Sequence, residues 1–384
     1  MSVPPPPNEW GSQPPTGGHP VGAPQWGPPP GGQPGGVPQW GPQQPWGPPP
    51  GPPPHRGGKG KWILAGIVVL AVIAVTVVIT VLVVGKDSAG KSPKPTNGNS
   101  GSDIASANDK GSVAIITEDP TCAGWNRIAD GLSAQERKVD WTDRDKAIPA
   151  TSWTPPQRTT YDTVARAMRT ASDQTVGLAK ATPHRVMREL YVQFGAYARA
   201  FDEKFQTYTA DDRHLPEVVD GIAASLVNIC AATTYGVAQA QASLVPTVAA
   251  PSELAPVDDP SNSPRFVKAS DPVCSDWARV FEKFDADTAN WRTLRTDIPA
   301  DQWTPEQKAL NDAVAPTMNK FADDLEHLGR SSSNAVLEDF AVLSAQYRRA
   351  YVLALPSYTP VDNYLANAST NLVKSVYSAC EAGG

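Results

Sequence analysis

Two stretches of this 384-residue chain read alike, and each is bracketed by a pair of cysteines. Asp119-Pro120-Thr121-Cys122-Ala123-Gly124-Trp125 matches Asp271-Pro272-Val273-Cys274-Ser275-Asp276-Trp277 at an offset of 152. From Trp141 onward the offset is 150, and the match then runs without a gap. Ile148-Pro149-Ala150 pairs with Ile298-Pro299-Ala300, and Trp153-Thr154-Pro155 with Trp303-Thr304-Pro305. Met168 pairs with Met318, Tyr197 with Tyr347, Arg199 with Arg349, Tyr208-Thr209 with Tyr358-Thr359, and Cys230 with Cys380. A period of this length points to tandem duplication of one domain, so the chain must fold the same unit twice.

Four cysteines allow three pairings, and a duplicated unit favours the one that closes each copy: Cys122–Cys230 and Cys274–Cys380. Disulfides persist in oxidising compartments, which sets residues 113–384 outside the cytosol. The competing reading is four reduced, buried thiols in a cytosolic domain. Each cross-link would close a loop worth on the order of 4–5 kcal/mol in the chain-entropy model.

The spacing predicts an all-α unit. Asp119-Pro120, Thr154-Pro155-Pro156-Gln157 and Thr304-Pro305-Glu306-Gln307 read as helix starts, the last two as capping boxes with proline in the first turn. Thr182-Pro183 and the run Ser331-Ser332-Ser333-Asn334 open a third helix, and Thr209 and Thr359 a fourth. Apolar residues step by three or four through Leu310, Val314, Met318, Phe321, Leu325 and Leu328, and through Val186, Leu190, Phe194, Tyr197, Phe201 and Phe205. No segment keeps a strand-like alternation. Each copy therefore reads as a bundle of about four helices with the disulfide joining first to last. The expected domains are 113–239 and 270–384, with a proline-rich linker at 240–269.

The rest of the chain is of a different kind. Residues 1–61 hold 21 of the 40 prolines and 15 of the 30 glycines, with almost nothing aliphatic to bury, and read as a disordered tail. Pro24-Gln25-Trp26-Gly27-Pro28 recurs as Pro38-Gln39-Trp40-Gly41-Pro42 and, shortened, as Pro45-Trp46-Gly47-Pro48. Such a tail reads as a solvated spacer, with a ligand for an aromatic groove or a multivalent self-associating segment as the functional alternatives. Trp62–Val84 is uncharged and aliphatic for 23 residues. At about 1.5 Å per residue it reaches roughly 34 Å, enough for a membrane span. A cleaved signal would be shorter and nearer the N-terminus. Flanking charges barely orient the span; the cysteines do, with the N-terminus cytoplasmic and the C-terminal domains extracytoplasmic. Residues 85–112 read as a flexible stalk.

No catalytic constellation, cofactor motif or metal-ligand spacing stands out. The histidines His19, His55, His184, His214 and His327 have no counterparts across the repeat. The tail and stalk leave the C-terminal part with 30 basic against 38 acidic residues beyond position 61, which argues against nucleic acid as a partner. Trp125 and Trp277 are expected against the disulfides. Trp141, Trp153, Trp291 and Trp303 flank the Ile-Pro-Ala loop of each copy, and read as packing at the bundle end in preference to an exposed aromatic platform. Arg199 and Arg349 are expected to meet an internal carboxylate, with an anionic ligand as the alternative.

The Pro-Gly-Gln-Trp tail, the aliphatic span and the Ala/Asp/Thr-rich ectodomain with paired cysteines resemble the proline-rich single-pass membrane proteins of unknown function found in mycobacteria and related actinobacteria. The resemblance implies a cell-envelope location and carries over no functional residue. The expectation is a non-catalytic envelope protein that meets protein partners on either side of the membrane. A small-molecule or lipid-binding module is the alternative, and an enzyme with an unfamiliar site a more distant one.

Overall fold

Threonines and prolines set the helix starts. Thr154 Oγ1 accepts from the Gln157 amide at 3.4 Å while Gln157 Oε1 accepts from the Thr154 amide at 2.9 Å. Thr304 and Gln307 make the same box at 3.3 and 3.0 Å. Both are followed by proline, whose missing N–H costs nothing in a first turn. The computed structural model describes residues 103–269 and 271–383, and these belong to one compact unit. The expected tail 1–61, the span 62–84 and the stalk up to residue 102 lie outside the described residues.

The described elements are all helical. The first bundle comprises α1 (Cys122–Lys138), α2 (Pro155–Ala181), α3 (Arg185–Lys204) and α4 (His214–Thr234), followed by a short α5 (Val237–Ala242). The second comprises α6 (Cys274–Asp287), α7 (Pro305–Ser331), α8 (Ala335–Ala354) and α9 (Asn363–Gly383). In each, consecutive helices pack as neighbours and the first also touches the last, closing a ring of four. The disulfides Cys122–Cys230 and Cys274–Cys380 fasten that closure, with Cα–Cα distances of 5.3 and 5.5 Å. Aspartates do the same job at the helix starts. Asp119 accepts from the Thr121 amide at 2.8 Å and from Thr182 Oγ1 at 2.5 Å. Asp271 accepts from the Val273 amide at 3.0 Å and from Ser332 Oγ at 2.9 Å. Each carboxylate thereby ties the start of the first helix to the loop entering the third. That loop runs longer than the sequence predicts: α3 begins at Arg185, three residues after Thr182.

The bundles are not two beads on a string. Their most extensive contact is α4 against α9, supplemented by α3 against α8. The pair α4/α9 is antiparallel, since Gly221 lies beside Asn371 and Ser375 while Tyr235 stacks on Tyr364 at 5.3 Å. This explains the composition of α4. With the turn before it, Ala210–Thr234 is apolar and long enough to cross a membrane by length and composition. In this fold 67% of that window is buried, because α4 has helices on most of its sides.

The expected linker and the end of the expected stalk differ from the sequence reading. Gln193 donates to Pro264 O at 3.1 Å and accepts from the Phe266 amide at 2.8 Å. Phe266 wedges between Tyr197 and Phe340, one ring from each bundle, and Val267 is buried. Residues 104–116 likewise lie on the body, with Ile104, Val113, Ile115 and Ile116 buried. Proline and glycine content signals the absence of helix, not the absence of packing.

Candidate functional site

Among the described residues, Trp125, Trp141, Trp153, Trp277, Trp291 and Trp303 each take part in building a bundle. Trp153 Nε1 donates to Ile148 O at 2.8 Å, and Trp303 Nε1 to Ile298 O at 2.9 Å. The Ala150 amide donates to Tyr208 O and the Ala300 amide to Tyr358 O, both at 2.8 Å. Tyr208 OH donates to Lys146 O at 2.8 Å and Tyr358 OH to Thr296 O at 2.5 Å. A Trp and a Tyr thus clamp the Ile-Pro-Ala loop onto the end of each bundle with the same three bonds. Trp153 also stacks on Tyr161 at 3.9 Å, and Trp303 on Tyr358 at 5.5 Å. Trp291 donates to Asn311 Oδ1 at 2.9 Å. The space left among Trp291, Trp303, Tyr351 and Tyr358 is about 10 Å³, room for one water. Trp125 and Trp277 are wholly buried, Trp125 against Tyr191 and Phe194, and Trp277 donating to Val373 O at 3.1 Å. Trp141 is 2% exposed, beneath the Arg144 guanidinium, which lies 3.3 Å from its ring centroid.

The two flagged arginines part ways. Arg349 meets carboxylates, Asp323 and Glu326, each at 2.7 Å. Arg199 instead donates to Ser172 Oγ at 3.3 Å and Ser263 O at 3.2 Å, helping to hold residues 240–269 in place.

The most concentrated polar chemistry lies where the bundles meet, and sequence reading gave no sign of it. Arg185 on α3 forks onto Asp339 on α8, Nε to Oδ2 at 2.6 Å and Nη2 to Oδ1 at 3.1 Å, and both side chains are 3% exposed. Arg185 Nη1 donates further to Asp109 O and Gly111 O at 2.9 and 3.1 Å. Arg188 donates to Ser106 and lies 3.5 Å from Glu189. Burial, then the Asp339 charge, pushes the Glu189 carboxyl well above the usual carboxylate range, against the pull of Arg188 and Arg185. A fork of this kind, with the remaining donors satisfied by backbone, fixes register between two helices more than it adds stability. Its members stand on one helix face at Arg185, Arg188 and Glu189, a pattern indistinguishable in the sequence from a solvated face.

Among the described residues no group of three or more His, Cys, Asp or Glu is arranged to hold a metal ion. A family model described as mycobacterial ESX-1 associated protein matches residues 104–384. An uncharacterized protein of Mycolicibacterium smegmatis is 47% identical over 335 residues, covering 86% of this chain and 88% of the relative. No solved structure matches.

Proposed function

Because the chain belongs to the mycobacterial ESX-1 associated family, we propose that it is a non-catalytic protein of the cell envelope that acts by binding partners. Residues 62–84 anchor it, the proline- and tryptophan-rich tail faces the cytoplasm, and the double bundle stands outside. The bundles are two copies of one domain. Support for that duplication comes from the loop clamp and the Asp119/Asp271 ties, which recur bond for bond at matched positions. The ESX-1 association named for the family supports a partner among ESX-1 components.

The observation that carries the reading is the pair of disulfides within a shared core. A chain that closes both copies with disulfides is suited to an oxidising compartment, and a body made rigid by a common core offers one composite surface. Thiol labelling of intact cells tests it. The expected result is no labelling of the full chain without reductant and labelling by a membrane-impermeant reagent after reduction. Free thiols reached only after the membrane is broken would overturn the topology. Co-purification of ESX-1 components with the full chain, diminished by deletion of residues 1–61 or of the bundles, locates the binding surface.

A further inference from the structure

The residues just before each bundle cross over to the other one. The Ile116 amide, ahead of the first bundle, donates to Tyr347 OH of the second at 3.2 Å. Tyr197 OH of the first bundle donates to Val267 O, ahead of the second, at 3.3 Å. Tyr197 and Tyr347 are matched at the repeat offset of 150, and so are Gly221 and Asn371, which lie side by side where α4 meets α9. Matched positions that meet one another, and contacts that are returned, are what two-fold packing of the bundles produces.

At one place the symmetry is broken. Arg185 forks onto Asp339, but the positions matched to Asp339 and Arg185 are Glu189 and Ala335. Glu189 is thus the acid of a second fork whose guanidinium is missing. It is 3% exposed, and its two carboxyl oxygens have no donor to accept from. On its own helix, Arg188 lies 3.5 Å away but points its donors at Ser106 O and Oγ, at 3.3 and 3.1 Å. Arg185 is engaged by Asp339 and stands 3.8 Å from the Asp109 carboxylate, on the segment packed against α3. From α8 come Asp339 itself and Glu338, the latter held by Arg330 at 2.7 Å. Two guanidiniums, Arg185 and Arg188, therefore stand against Asp109 and Asp339, and the group is neutral only while Glu189 carries a proton. Protonated, Glu189 can donate to the Asp339 carboxylate beside it; ionised, it lacks donors and is repelled.

We propose that Glu189 is a proton-operated latch between the bundles: protonated, it holds the starts of α3 and α8 and residues 104–116 together, and on ionising it loosens them while α4 and α9 stay joined. Burial and the Asp339 charge already hold its carboxyl well above the ordinary 4.5. The closed seam therefore binds the proton more tightly than the opened one. Its contribution is complete below about pH 4.5, weakens as pH rises toward the closed-state value, and then levels off. The latch sets how firmly the two bundles act as one body.

Amide hydrogen exchange on the full chain in mild detergent tests the latch, with rates corrected for the intrinsic effect of pH. Protection at residues 104–116 and 335–343 is expected to fall about tenfold or more between pH 5 and 8. Glu189→Gln keeps the shape and a donor of the protonated acid, and should hold that protection constant across the range. Helix α1, where burial raises the Glu136 carboxyl independently of this seam, is the internal reference and should behave alike in parent and variant. Ala335→Arg, at a half-exposed position, supplies the missing guanidinium and should keep the seam protected at pH 8. It decides the matter if Glu189→Gln does not fold. Seam protection that does not fall with pH in the parent, or that falls equally in either variant, would overturn the latch.

Discussion

At the scale of single residues, burial decides what a charge does in this protein. Arg349 meets its partner Asp323 at the surface, where the carboxylate is 69% exposed, and such a pair contributes little. Asp220 is the opposite case. Burial raises its carboxyl to about 6, against the pull of Arg144, Lys146 and the Trp141 indole. A folded-state value above the usual 3.8 means the folded protein holds the proton more tightly than the unfolded chain. The group's favourable contribution is complete below about pH 4 and is lost as pH rises through about 6. Asp220→Asn should therefore match the parent near pH 3.5 and exceed it by about 3 kcal/mol at pH 7.5. Urea unfolding across that range measures the gap, and a gap that does not open between pH 4 and 6 contradicts the burial argument.

At the scale of elements, close approach between helices sets which small residues matter. Gly329 on α7 faces α8, where an added Cβ would meet Ala341 Cβ at 2.5 Å and the Glu338 backbone at 3.3 Å. Neither neighbour can swing aside, so Gly329→Ala should destabilise by about 1–3 kcal/mol through overpacking. Gly177 on α2 has open space where its Cβ would be. Gly177→Ala should instead stabilise by about 0.5–1 kcal/mol, because alanine loses less backbone freedom in a helix. Melting temperatures of the two variants should move in opposite directions. Both glycines sit inside helical patterns and look alike in the sequence; only the neighbouring helix separates them.

At the scale of the whole molecule, the shared core makes the two bundles a single folding unit. The α4/α9 seam, the Arg185–Asp339 fork and residues 240–269 all cross from one bundle to the other. Calorimetry should show one transition, with equal calorimetric and van't Hoff enthalpies. Opening either disulfide, by Cys230→Ala or Cys380→Ala, should lower that one transition, each loop of 108 or 106 residues being worth on the order of 4–5 kcal/mol. Two separated transitions, with each cysteine variant shifting only one, would mean that the bundles unfold independently.

The helices, the capping-box starts of α2 and α7 and both disulfide pairings were legible in the sequence, because capping, apolar spacing and matched cysteines act locally or announce themselves by repetition. The repetition also marked Trp153, Trp303, Tyr208 and Tyr358, although not that they clamp a loop. What the sequence could not disclose is pairing between surfaces distant along the chain. Arg185 and Asp339 are 154 residues apart, and each looks like an ordinary solvated charge until α3 meets α8. Glu136 and Asp220 acquire their meaning only when α1 and α4 enclose them. Residues 240–269 read as a linker by composition and became a strap because Gln193 and two aromatic rings stand where Phe266 arrives. Local chemistry determined the elements; the desolvation of charges, which depends on everything around them, was decided by the tertiary fold alone.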